Sequence, residues 1–76
     1  MSGKVYNRFK ILLAEKETKE GIKYPYEKIT RATGIAGSTL SSWASNKVKR
    51  FDADTIATLC NFFNCDLKDL IIYERD

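Results

Sequence analysis

Apolar residues recur along this chain at helical spacing, and the polar stretches between them carry the punctuation of helix ends. Val5, Phe9, Leu12 and Leu13 stand at i, i+4, i+7 and i+8 and form one stripe, which predicts a first helix over Tyr6–Glu17. Thr18–Tyr24 (TKEGIKY) is polar with a glycine and reads as a connecting loop. Pro25 suits a helix start, because its missing N–H is not needed in the first turn. A short second helix over Tyr26–Thr33 turns Ile29 and Ala32 inward, and Gly34 supplies the backbone freedom for a tight turn. A third helix over Gly37–Ser45 is anchored by Leu40 and Trp43 at i, i+3. Because Trp43 lines up with Leu40, it reads as a core residue rather than a surface stacking platform.

Asn46–Arg50 (NKVKR) is a basic loop. A fourth helix is expected from Asp52, whose carboxylate can accept from free N–H groups of the first turn. Phe51 and Ile56 occupy the positions of a hydrophobic staple around that cap. Ile56, Leu59, Cys60 and Phe63 continue the inner face, and Asn64 is a left-handed stop. Asp66, with Asp69 at the capping-box position, opens a fifth helix that turns Leu67, Leu70 and Ile71 inward. The run Leu70-Ile71-Ile72-Tyr73 also has strand propensity. The preferred reading is five helices and no strand, an all-α single domain over residues 1–76.

Composition narrows the class. At 76 residues, 43% apolar and 30% charged, the chain is sized and composed for one small globular core. No stretch approaches the ~20 apolar residues of a membrane span, and MSGKVYNRFK lacks the apolar centre of a signal peptide. Cys60 and Cys65 lie in one apolar stretch and read as buried, reduced thiols. The absence of histidine removes the commonest general base and the commonest metal ligand together. No catalytic residue, metal site, cofactor or small-molecule ligand is expected, and the expected location is the cytoplasm, with the nucleoid.

Charge gives direction. Residues 1–50 carry eleven Lys or Arg against four Glu, a net +7; residues 51–76 carry two basic against six acidic residues, a net −4. A basic front and an acidic rear orient a molecule toward a polyanion. The stretch Tyr26–Trp43 (YEKITRATGIAGSTLSSW) sharpens this. Two short amphipathic helices broken by a glycine, the second with Ser38, Ser41 and Ser42 opposite Leu40 and Trp43, have the shape of a helix-turn-helix over about 26–45. That module places its second helix in the major groove of DNA.

From Arg8 to Glu74 the chain resembles the Cro and phage-repressor (XRE-type) helix-turn-helix regulators. The strings RFKILLAEK, EKITRATGIAGSTLSSW and DADTIATLCNFFNCDLKDLI carry the resemblance. It implies a five-helix lambda-repressor-like fold and sequence-specific binding of double-stranded DNA. It further implies transcriptional regulation, repression ahead of activation, and a homodimer on two half-sites. This chain departs from the pattern in a longer loop before Tyr26, in Thr30 where a small residue is common, in Tyr26 where Gln is common, and in Gly37 where Arg or Gln is common.

On this reading Ser38, Thr39, Ser41 and Ser42 face bases, and Gly37 lets the backbone approach the groove floor. Tyr26, Lys47, Lys49 and Arg50, with Arg8 and Lys10 from the first helix, meet phosphates. Asp52 and Asp54 would repel a phosphate and are expected to serve the dipole of the fourth helix. The bland alternatives are a solvated basic loop and serines that only cap or solvate their helix. Two other functions stay open: a protein-interaction module on the same fold, such as an antitoxin-like or adaptor domain, and an enzyme built on carboxylates or lysines. The C-terminal Ile72 and Tyr73 exceed what a short helix needs for its own packing and are expected to pair two copies.

Overall fold

The computed structural model describes residues 3–75. The element order is β1 (Lys4–Asn7), α1 (Phe9–Glu20), α2 (Tyr26–Thr33), α3 (Gly37–Ala44), α4 (Ala53–Phe63), α5 (Leu67–Leu70) and β2 (Ile71–Glu74). All five expected helices are present. The two strands are an addition to the all-helical expectation. They pair antiparallel in the register Lys4↔Glu74, Val5↔Tyr73, Tyr6↔Ile72 and Asn7↔Ile71.

The sheet corrects both ends of the sequence reading. The capping box of Asp66 and Asp69 starts α5 as expected, with the Asp66 N–H donating to Asp69 Oδ2 at 3.1 Å. The helix then lasts one turn, because Ile71, Ile72 and Tyr73 are β-branched or aromatic and find a partner strand. At the other end, Tyr6 belongs to β1, and α1 opens at Phe9, whose N–H donates to the Asn7 side-chain oxygen at 2.8 Å. Val5 therefore leaves the helical stripe and is 53% exposed. Leu67 and Ala32, expected inside, are also exposed. The helix α1 runs on to Glu20, through part of the expected loop. Gly21 ends it at φ 70°, donating to the Glu17 carbonyl.

The core is small and drawn from every helix: Phe9, Leu12, Ile29, Leu40, Trp43, Leu59 and Leu70, with Ile35 from the turn between α2 and α3. Its aromatic contacts are edge-on, Phe9 to Phe63 at 5.6 Å and Trp43 to Phe51 at 5.3 Å between ring centres. Phe51 and Ile56, the staple pair, both pack half-buried against it. Cys60 and Cys65 are free, half-buried thiols. Burial and the neighbouring Cys60 push the Cys65 thiol up to about 11, so it stays protonated.

Trp43 is 2% exposed and is the largest of the enclosed side chains among the described residues, so its role is packing. Truncation of a buried aromatic costs about 3–5 kcal/mol, a large share of the stability of so small a domain. Trp43→Ala is expected to unfold the protein near room temperature, read as loss of the cooperative transition in a circular-dichroism melt. A native melt with lost DNA binding would make Trp43 a contact residue instead.

Candidate nucleic-acid interface

The turn that sets α3 on α2 is built from local rules. Thr33 Oγ1 donates to the Ile29 carbonyl at 2.7 Å and accepts from the Ile35 N–H at 3.1 Å, which shapes the exit of α2. Gly34 follows at φ 82°, where a side chain would strain the backbone, and donates to the Thr30 carbonyl at 2.7 Å. Ile35 is then buried as the plug between the helices. Leu40 and Trp43 fix the rotation of α3 by facing the core. Its outer side is left to Gly37, Ser38 and Ser41, which are exposed, with Thr39 and Ser42 half-exposed beside them.

The basic loop follows at once. Ser45 hydroxyl donates to the Ser41 carbonyl at 2.9 Å, Lys47 N–H donates to the Ser42 carbonyl at 2.9 Å, and Asn46 takes a left-handed φ of 57°. These bonds start the loop from a defined point at the end of α3. Lys47, Lys49 and Arg50 are all exposed, while Val48 between them packs against the core. Neither α2 nor α3 has a side-chain cap; their N-caps are Pro25 and Ala36. Ser38 and Thr39 lie inside α3, so neither is its N-cap.

Asp52 does cap α4, accepting from the Thr55 N–H at 2.9 Å, and those bonds hold its carboxyl below the usual carboxylate range. Tyr26 stands in the first turn of α2, with its ring edge-on to Phe9 at 6.4 Å. Lys10 is exposed on α1. Arg8 is half-buried, and its Nη1 donates to the Asp69 carbonyl at 3.0 Å, so part of its guanidinium ties α1 to α5.

One pair of residues had no place in the sequence reading. Asn46 Oδ1 accepts from the Asn7 N–H at 2.7 Å, and Asn46 Nδ2 donates to the Asn7 carbonyl at 3.3 Å. The Asn46 amide thus mimics a strand residue and ties the end of α3 to β1. The available signal was Asn itself, which tolerates the left-handed region at a helix exit.

A family model for the Cro/C1-type helix-turn-helix DNA-binding domain matches residues 21–76. The chain belongs to that family. Among solved structures, it is similar to a protein from Bacteroides fragilis for which DNA binding is proposed. That match has 28% identity and a TM-score of 0.70, over 91% of this chain and 100% of the other. It also resembles the transcriptional regulator VanUg, at 21% identity and a TM-score of 0.67, over 100% of this chain and 92% of that one, a likeness of fold. No curated protein matches the chain. Among the described residues no helix is long and apolar enough to cross a membrane, and no cluster of three metal-ligating side chains is present.

The exposed loop of this Cro/C1-type domain generates a salt test. If Lys49 neutralises one phosphate, Lys49→Ala lowers the slope of log K against log salt by about 0.9. Affinity then falls by a similar factor on specific and random duplexes, as phosphates carry no sequence information. Fluorescence anisotropy across a salt series measures both; an unchanged slope returns Lys49 to solvated surface.

Proposed function

We propose that this protein is a sequence-specific double-stranded DNA-binding regulator that acts as a homodimer and represses by occupying its site. The observation that carries this reading is the composition of α3. Its apolar residues are spent on the core, and its outer side presents only small polar residues beside an exposed basic loop. In this reading α3 enters the major groove. Ser38, Thr39, Ser41 and Ser42 address base edges, and Gly37 permits close backbone approach. Lys47, Lys49 and Arg50 lie along the phosphates, with Tyr26 and Lys10 flanking and the unpaired part of Arg8 beyond them. Asp52 belongs to the helix cap rather than to the contact surface.

Small hydroxyls set the expected mode of recognition. A bidentate Arg–guanine or Gln–adenine contact gives about 1–3 kcal/mol of discrimination. A serine makes one bond, often shared with water, and gives less. Specificity is therefore modest, with a substantial share from deformability of base pairs between half-sites about one helical turn, ~34 Å, apart.

Selection from a random duplex library tests the reading and returns the half-site and spacing together. Recovery of no enriched sequence, with no salt-dependent duplex shift, would favour a protein-interaction module on the same fold. For the enriched site, Ser42→Ala is expected to weaken preference at one or two base pairs by under about 1.5 kcal/mol. Changes at untouched central pairs should matter comparably. A binding matrix over all single base changes measures this. Discrimination above about 3 kcal/mol at two or three positions would instead assign base reading to a long side chain such as Lys47 or Arg50.

A further inference from the structure

The chain's two cysteines meet at the end of α4, and the cap of that helix is what joins them. Asn64 takes the left-handed conformation at φ 54°. Its N–H donates to the Asn61 carbonyl at 3.3 Å, and the Cys65 N–H donates to the Cys60 carbonyl at 3.0 Å. These two bonds are the Schellman pattern, in which the residues joined by the longer loop also bring their side chains into contact. Here those residues are Cys60 and Cys65. In the sequence they stand five apart, outside any C-x-x-C pattern, and the left-handed turn at Asn64 makes them neighbours.

The separation suits a covalent bond. The two Cα atoms are linked through Cα–C=O···H–N–Cα, a path of at most about 7 Å even when straight. The path bends at the carbonyl and at the amide, which brings the Cα atoms below the roughly 6.8 Å upper limit for a disulfide. Both thiols are free and half-buried. They line a cavity of about 220 Å³ together with Asn61, Asn64, Asp66 and Asp69. Asn61, Asn64 and Asp66 are exposed, so the sulfurs are open to a small molecule from solvent.

We propose that Cys60 and Cys65 form a two-electron redox site, which a small uncharged disulfide oxidises to an intramolecular disulfide. Burial holds the Cys65 thiol protonated, so the first attack falls to Cys60. Cys60 releases its proton to water and attacks one sulfur of the oxidant. The oxidant's S–S bond breaks, and its other half leaves as a thiolate that takes up a proton. Cys65 then attacks Cys60 Sγ in the mixed disulfide as its own proton passes to solvent, and the second half of the oxidant leaves and is protonated. The oxidant gains two electrons and two protons and becomes two small thiols. Asp66 and Asp69 bring negative charge beside the sulfurs, which disfavours an anionic oxidant.

The bond clamps the turn between α4 and α5. Cys65 precedes Asp66, the N-cap of α5, and α5 runs directly into β2. Closing the loop from Cys60 to Cys65 removes freedom from the unfolded chain. The clamp sits at the far end of α4 from the basic loop, about 16 Å along the helix. It therefore acts on the stability of the α5–β2 end and not on the outer side of α3.

The test places the folded protein, without DNA, in a redox buffer of bis(2-hydroxyethyl) disulfide and 2-mercaptoethanol. Intact mass is expected to show the loss of two hydrogens and no retained adduct, with the bond inside the single tryptic peptide Phe51–Lys68. The oxidised fraction should follow the square of the thiol concentration divided by the disulfide concentration, the dependence of an intramolecular bond. The melting temperature of the oxidised form should rise by on the order of 5–10 °C. Cys65→Ala should stop at a stable mixed disulfide on Cys60, and Cys60→Ala should react several-fold more slowly than Cys65→Ala. The wild-type mass requires no variant to fold. A wild type that stays reduced in excess oxidant, keeps one adduct per chain or links between chains overturns the proposal, as does an oxidised form that melts no higher than the reduced one.

Discussion

The structure turns on the burial of one side of α3. In eight residues this helix supplies two fully enclosed side chains, Leu40 and Trp43, to a core that has few others. Two anchors one turn apart fix both the position and the rotation of the helix. Everything outward-facing follows: once Leu40 and Trp43 point in, Ser38 and Ser41 point out, and the chain leaves α3 toward Lys47, Lys49 and Arg50. The exposed polar side of α3, proposed above to meet DNA, is thus positioned by the opposite, buried side.

Asn7 connects this helix to the rest of the molecule. Among the described residues it is the one buried polar residue, 5% exposed, in an otherwise apolar interior. Its side-chain oxygen starts α1, and its main chain holds the Asn46 amide at the end of α3. Its side-chain nitrogen has no partner among the described residues, so the position carries a desolvation cost. The hydrogen bonds made by its other groups offset that cost by joining β1, α1 and the end of α3 at one point. This pair of asparagines ties the end of α3, already oriented by Leu40 and Trp43, to the sheet.

Much of the helical frame was legible without coordinates, because its signals are local. The bounds of α2, the left-handed positions of Gly34 and Asn64, the Asp52 cap and the Asp66–Asp69 capping box each depend on residues within one turn of one another. Their chemistry is the same in any fold. The polar face of α3 was legible for a related reason: a helix with two apolar anchors at i, i+3 has only one phase that buries both.

The sheet was legible only in part. The strand propensity of Ile71–Tyr73 was visible, but its partner Lys4–Asn7 lies more than sixty residues away, and Val5 fits a helical stripe by spacing alone. A strand exists only when another strand satisfies its main chain, so pairing, not propensity, decided both termini. The same holds for Arg8, drawn toward Asp69, and for Asn46, drawn to Asn7. By itself the sequence determined where the helices lie, how they start and stop, and which face of α3 is polar. The tertiary structure decided which long-range main-chain groups meet and how the end of α3 is held against the sheet.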